Sequence, residues 1–282
     1  MIRILLYCLC ISQLALQPLP GQELLTVNKK AAPEEMILKV SQLGQFIKRF
    51  NYEEDFRGDE ITSSFSKKIK RSDYIGLLFN NYDEKFDSIR QTYTPYYRQL
   101  KDKFIKFVTD KNYKINRISD SLYSLAVCEI SYHGKPSVVR ILLKQQAINK
   151  GIAWVICDAS ADFIYDENNF RDSEKFIPPT SNEVNYIHLK SYLNNRDSLA
   201  CYAYQGYTCN RLSIFFQLLH SGDIQYKEVR SVSYFIADIP GWIIQVQEFN
   251  RENDNSGWLI SNITLNTLPI SDYMKLLVAQ TR

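Results

Sequence analysis

Apolar residues recur along this chain at two periods, and the switches between those periods divide it. From Met36 to Phe50 the stretch MILKVSQLGQFIKRF places Met36, Ile37, Val40, Leu43, Ile47 and Phe50 three or four residues apart, with Lys39, Gln45 and Lys48 on other faces. That spacing predicts an amphipathic helix. After the acidic turn NYEEDFRGDE, Ser72 stands where a helix cap belongs and YIGLLFN follows it, predicting a second, shorter helix. Thr94-Pro95 opens a third, in which Tyr97, Leu100, Phe104, Phe107 and Val108 form one stripe. Its outer face carries Arg98, Lys101, Lys103 and Lys106, broken by Asp102 and Asp110, the pattern of a solvated helix face.

From Ser121 the period becomes two. SLYSLAVCEISY, SVVRILLK and AWVICDA, separated by HGKP and NKG, predict a three-stranded antiparallel meander. DENNFRDSEKFIPPTSNE, with Pro178-Pro179, breaks both periods and reads as a linker. A capping box from Thr180 to Glu183 introduces the helix VNYIHLKSYLNN, and NRLSIFFQLLHSG, ended by Gly222, forms another. VRSVSYFIAD, WIIQVQEFN and WLISNIT then predict a second meander, turning at IPG and NDNSG. The two meanders echo each other: at one constant shift Val139 falls on Ile243, Leu142 on Val246, Trp154 on Trp258, Ile156 on Ile260 and Asp158 on Asn262.

Composition narrows the class. At 282 residues, 45% hydrophobic and 23% charged, the chain has enough apolar surface for a packed core and is long for one domain. The opening MIRILLYCLCISQLALQPLPG has one charge, Arg3, an apolar run from Ile4 to Leu16 and a break at Pro18, which predicts a secretory signal over residues 1–21, cut after Ala15 or after Gly21. The apolar run is shorter than a bilayer span of about 20 residues. The formal charge of the chain is +3, and loss of Arg3 leaves the remainder still nearer neutral, so no global pull toward nucleic acid or anionic membrane exists. Export makes the cysteines candidates for disulfides. Cys201 with Cys209 would close a short loop around YAYQGYT, and Cys128 with Cys157 is a second possible pair.

Helices followed by a long antiparallel sheet, twice over, is an α+β plan. The helix QLGQFIKRFN, the strands ending GIAWVICDAS and their partners in GWIIQVQEFNRENDNSGWLISNIT resemble the NTF2-like (nuclear transport factor 2-like) superfamily, in particular secreted bacterial proteins of unknown function that carry two such domains. The resemblance implies two tandem cystatin-like cones: residues 22–165 with an additional basic helix, a linker at 166–181, and residues 182–282. It further implies a cavity between helices and concave sheet, where enzymes of the superfamily hold an Asp for proton transfer.

Candidate chemistry is sparse. Asp158, at the end of a strand after VIC, is the candidate general base of a small-molecule lyase or isomerase, although Asn262 holds the matching place in the second meander and Asp-Ala-Ser also suits a turn. His133, His188 and His220 lie apart, with no acid or base at motif spacing, and neither a zinc pattern nor a cofactor motif is present. Aromatic side chains are the expected ligand contacts: Tyr202, Tyr204 and Tyr207 in the cysteine-bounded loop, with Trp154 and Trp258 on the strands. The sequence therefore points to a secreted protein of the periplasm or cell envelope of a Gram-negative bacterium. Its expected role is non-catalytic binding of a small molecule or an envelope protein, with the Asp158 enzyme and a structural spacer or assembly module as alternatives. No cofactor, metal or nucleic acid is implied.

Overall fold

The computed structural model describes residues 38–83, 85–86, 95–148, 151–164, 210–252 and 255–279. The signal at 1–21, the linker at 166–181, the helix VNYIHLKSYLNN with His188, and the Cys201–Cys209 loop with Tyr202, Tyr204 and Tyr207 lie outside the described residues.

Among the described residues seven strands make one mixed sheet: β1 (Lys39–Val40), β2 (Leu122–Tyr132), β3 (Lys135–Ile148), β4 (Gly151–Ser160), β5 (Ile224–Ile236), β6 (Trp242–Phe249) and β7 (Ser256–Leu265). Their order is β1-β7-β6-β5-β2-β3-β4. The class is α+β, but the two meanders are halves of one sheet, joined edge to edge where β2 pairs antiparallel with β5 from Leu122↔Ile236 to Tyr132↔Ile224. Pairing edges in this way removes the exposed strand edge that each meander would present alone.

The two halves match in their irregularities. In the β3–β4 ladder the register slips between Leu142 and Leu143, leaving Cys157 as the extra residue. The β6–β7 ladder slips between Gln245 and Val246, leaving Ser261, so each bulge directly precedes Asp158 or Asn262. Ser124 and Tyr234 hold equivalent places in the two ladders and face each other across β2 and β5, so a local two-fold passes between them.

Six helices accompany the sheet among the described residues: α1 (Leu43–Phe50), α2 (Ser63–Lys68), α3 (Arg71–Leu77), α4 (Pro95–Asp110), α5 (Arg211–His220) and α6 (Ile270–Ala279). The helix expected from Met36 begins only at Leu43, because Leu38 to Val40 are drawn into the sheet. There β1 lies parallel to β7, Lys39 opposite Ser256 and Val40 opposite Gly257. Gly257 permits the approach: its φ is +83°, and a Cβ there would lie 1.9 Å from the Val40 carbonyl oxygen. The HGKP turn is a tight two-residue connection with positive φ at His133 (47°) and Gly134 (78°).

Side chains sort by alternation. Leu122, Ile236, Ile244 and Val246 face the layer of α1, α3 and α4, whose Phe46, Phe50, Tyr74 and Phe104 are fully buried. Each such side chain contributes about 1.5–3 kcal/mol by leaving water. The Phe104 ring packs edge-on to Trp242 at 5.2 Å. Farther along the same face Ala126, Cys128, Ile130 and Val139 meet Phe215 of α5. The opposite face, at Tyr123, Leu142, Phe235 and Ile243, is closed by Met274 and Val278 of α6.

Cys128 and Cys157 are free thiols. The sequence-expected pairing fails because β3 lies between their strands, which sets their backbones about 10 Å apart, beyond disulfide reach. They also point to opposite faces, Cys128 toward α5 and Cys157 toward α6.

Candidate functional site

Asp158 owes its setting to the bulge. In a regular strand it would share a face with Ile156, but the extra residue Cys157 places it opposite Leu142, on the face that α6 covers. Bulges re-aim side chains in this way beside functional sites. The space there is a cavity of about 550 Å³, floored by Tyr123, Leu142 and Cys157. Ser271 and Lys275 of α6 close one side, and the start of α5, with Asn210, Arg211 and Leu212, closes another. Asn210 caps α5 by accepting a hydrogen bond from the Ser213 amide at 2.9 Å, which fixes where that helix begins.

The carboxylate of Asp158 is committed. Its Oδ1 accepts from the Ala159 amide at 2.8 Å, and its Oδ2 accepts from Nη2 of Arg211. Both partners are largely buried, with side-chain exposures of 13% for Asp158 and 17% for Arg211. A general base needs a carboxylate free to take a proton from substrate; here a guanidinium occupies that position. Among the described residues, the other charged groups on the cavity wall are cations, Lys144 and Lys275. Lys275 is mostly exposed and stands 4.0 Å from Asp272 on its own helix. Burial pushes the Cys157 thiol above its ordinary range, with Lys144 pulling weakly the other way, so Cys157 is held as a neutral thiol. Burial likewise raises the Tyr123 phenol, which stays protonated as a potential donor.

Trp154 and Trp258 are brought onto one face, but on the side of the sheet away from this cavity. Tyr234 lies between them, its ring 5.9 Å from Trp154 and 4.8 Å from Trp258. Trp154 on β4 reaches Tyr234 on β5 across two intervening strands, so the sheet curls around this face. Trp154 remains 38% exposed, with Ile152 and Ile156 beside it on the strand. His133 sits in its hairpin turn 3.4 Å from Asp223, and His220 ends α5; neither borders the cavity. Among the described residues no three His, Cys, Asp or Glu side chains converge as a metal site, and no helix is long and apolar enough to cross a membrane.

Arg211, Lys144 and the whole of α6 are absent from the sequence-predicted site. For α6 a signal existed: Ile270, Met274, Leu277 and Val278 follow Pro269 at helical spacing. For the cations there was none, since single basic residues within a strand or at a helix start look like any solvated charge. The chain matches no protein-family model, no curated protein and no solved structure.

Proposed function

We propose that this is a secreted binding protein of the bacterial envelope that holds a small molecule, without transforming it, in the cavity between α6, β4 and the start of α5. The observation that carries this reading is the cavity itself. Its volume of about 550 Å³ suits a small organic ligand, and the one carboxylate that the described residues place on its wall is tied to Arg211. The Asp158 lyase or isomerase is the weaker alternative, because its base would first have to leave a buried ion pair. An envelope spacer would have no saturable ligand at all. The NTF2-like resemblance belongs to the same proposal: each meander would be one such sheet, with α1 to α4 or α5 as its covering helices, the two fused at β2 and β5.

Two measurements test the proposal. A small-molecule library is screened by thermal shift against the exported protein and against Ser271→Trp, which places a bulky ring at an exposed position on the cavity wall. Hits lost in that variant support the cavity as the ligand site, and hits indifferent to it refute that. Expression of the full chain in a Gram-negative host, with fractionation and N-terminal sequencing, tests export. A start near residue 16 or 22 is expected, whereas an intact Met1 in the cytosol would overturn the envelope assignment.

A further inference from the structure

The balance of charge on the cavity wall is one-sided. Among the described residues, Arg211, Lys144 and Lys275 line it against Asp158, which is consumed by Arg211, while Lys275 stands 4.0 Å from Asp272 on its own helix. Lys144 is half-buried in the middle of β3 and makes no ion pair or hydrogen bond with the described residues. An anion arriving beside it would give this ammonium a charged partner in a partly enclosed space, where charge-assisted hydrogen bonds are strong. Lys275 approaches from α6, and the first turns of α5 and α6 both border the space through Arg211, Leu212 and Ser271. First-turn amides have no carbonyl partner within their own helix, and the helix dipole adds to the positive field there. Leu142, Leu212 and the ring of Tyr123 give the wall an apolar part, beside Asn210 and the neutral Cys157 thiol, and that part would suit the body of a small molecule rather than a bare inorganic ion.

From this arrangement we infer that the ligand is an organic anion, a carboxylate or phosphate group on a small apolar body, with Lys144 and Lys275 receiving the charge and Arg211 held in place by Asp158. This rests on the cavity being the ligand site. Three probes of nearly one shape separate the possibilities: benzoate, phenyl phosphate and the neutral benzamide, titrated calorimetrically into the exported protein at low salt. Binding of either anion with benzamide silent is expected, and the preferred anion tells carboxylate from phosphate. Lys144→Met should weaken that binding by about tenfold or more, the usual loss of one hydrogen bond to a charged group. Lys275→Met, on an exposed helix position that tolerates change, should weaken it as well.

Benzamide binding as tightly as benzoate, or anion binding indifferent to both lysine substitutions, overturns the anion assignment. If that benzamide binding is lost in Ser271→Trp, the cavity survives as a site while its ligand class does not. Silence from all three probes also overturns the anion assignment, and library hits unaffected by Ser271→Trp bring down the cavity reading with it.

Discussion

The Asp158–Arg211 pair offers the sharpest test of how the cavity is built. Asp158→Asn keeps the shape and an oxygen that can accept from the Ala159 amide, and the matching bulge of β7 already carries Asn262, so the side chain fits the geometry. What it removes is the charge opposite Arg211, whose side chain is 17% exposed. An ion left unpaired at that depth costs about 3 kcal/mol, and for a chain of this size each kcal/mol lowers Tm by roughly 2–4 °C. A fall of about 6–12 °C is therefore expected. Arg211→Met should cost a similar amount by stranding the carboxylate. The double substitution should recover most of the loss, because replacing both members of a buried pair by uncharged groups is often close to neutral. Thermal and urea denaturation of the four proteins closes the double-mutant cycle. If Asp158→Asn leaves Tm unchanged, or the two single effects simply add, the pair is not coupled and Asp158 is the free carboxylate that the enzyme alternative requires.

Other parts of the fold make equally direct predictions. Gly257→Ala collides with the Val40 carbonyl and adopts an unfavourable positive φ; with about 1–2 kcal/mol from the backbone conformation alone, a lower urea midpoint is expected, and an unchanged midpoint would refute the close β1–β7 contact. Lys101, lying over the Phe79 ring, is pushed down to about 8 by burial. The folded state thus binds fewer protons than the unfolded chain between that value and the ordinary lysine range, so this side chain makes stability rise with pH across that window. Cys128 and Cys157, raised by burial, make stability fall there, so the difference between wild type and Lys101→Met is the quantity to measure. The substitution should remove a rise of roughly 3 kcal/mol, and parallel curves would show that Lys101 is not desolvated. Tyr234→Ala takes the middle ring from between Trp154 and Trp258 and should cost about 2 kcal/mol with a shift in tryptophan emission; unchanged emission would mean the three rings do not share an environment.

What the sequence determined by itself is local. The period-two runs marked six of the seven strands, since alternation is imposed by the pleat wherever one face is buried. The stripes at Tyr97 to Val108 and the segment from Asn210 to Gly222 marked α4 and α5 because helical spacing and caps are written within a few residues. The echo between the two meanders was legible for β4 and β7, Trp154 against Trp258 and Asp158 against Asn262, but not at one constant shift: Leu142 pairs with Asp158 where Gln245 pairs with Asn262, so β3 matches β6 one residue away from the sequence alignment. Tertiary structure decided what those elements meet. Nothing local to Leu38, Lys39 and Val40 distinguishes a helix from a strand; a glycine more than 200 residues away made room for the strand. Joining β2 to β5 turned two expected sheets into one, because strand partners are chosen by edges that are far apart in sequence. The candidate site was legible only in Asp158. Its bulge, its guanidinium partner 53 residues on, and the lysines of β3 and α6 come together through a ladder slip and two helix positions, and long-range packing sets each of these.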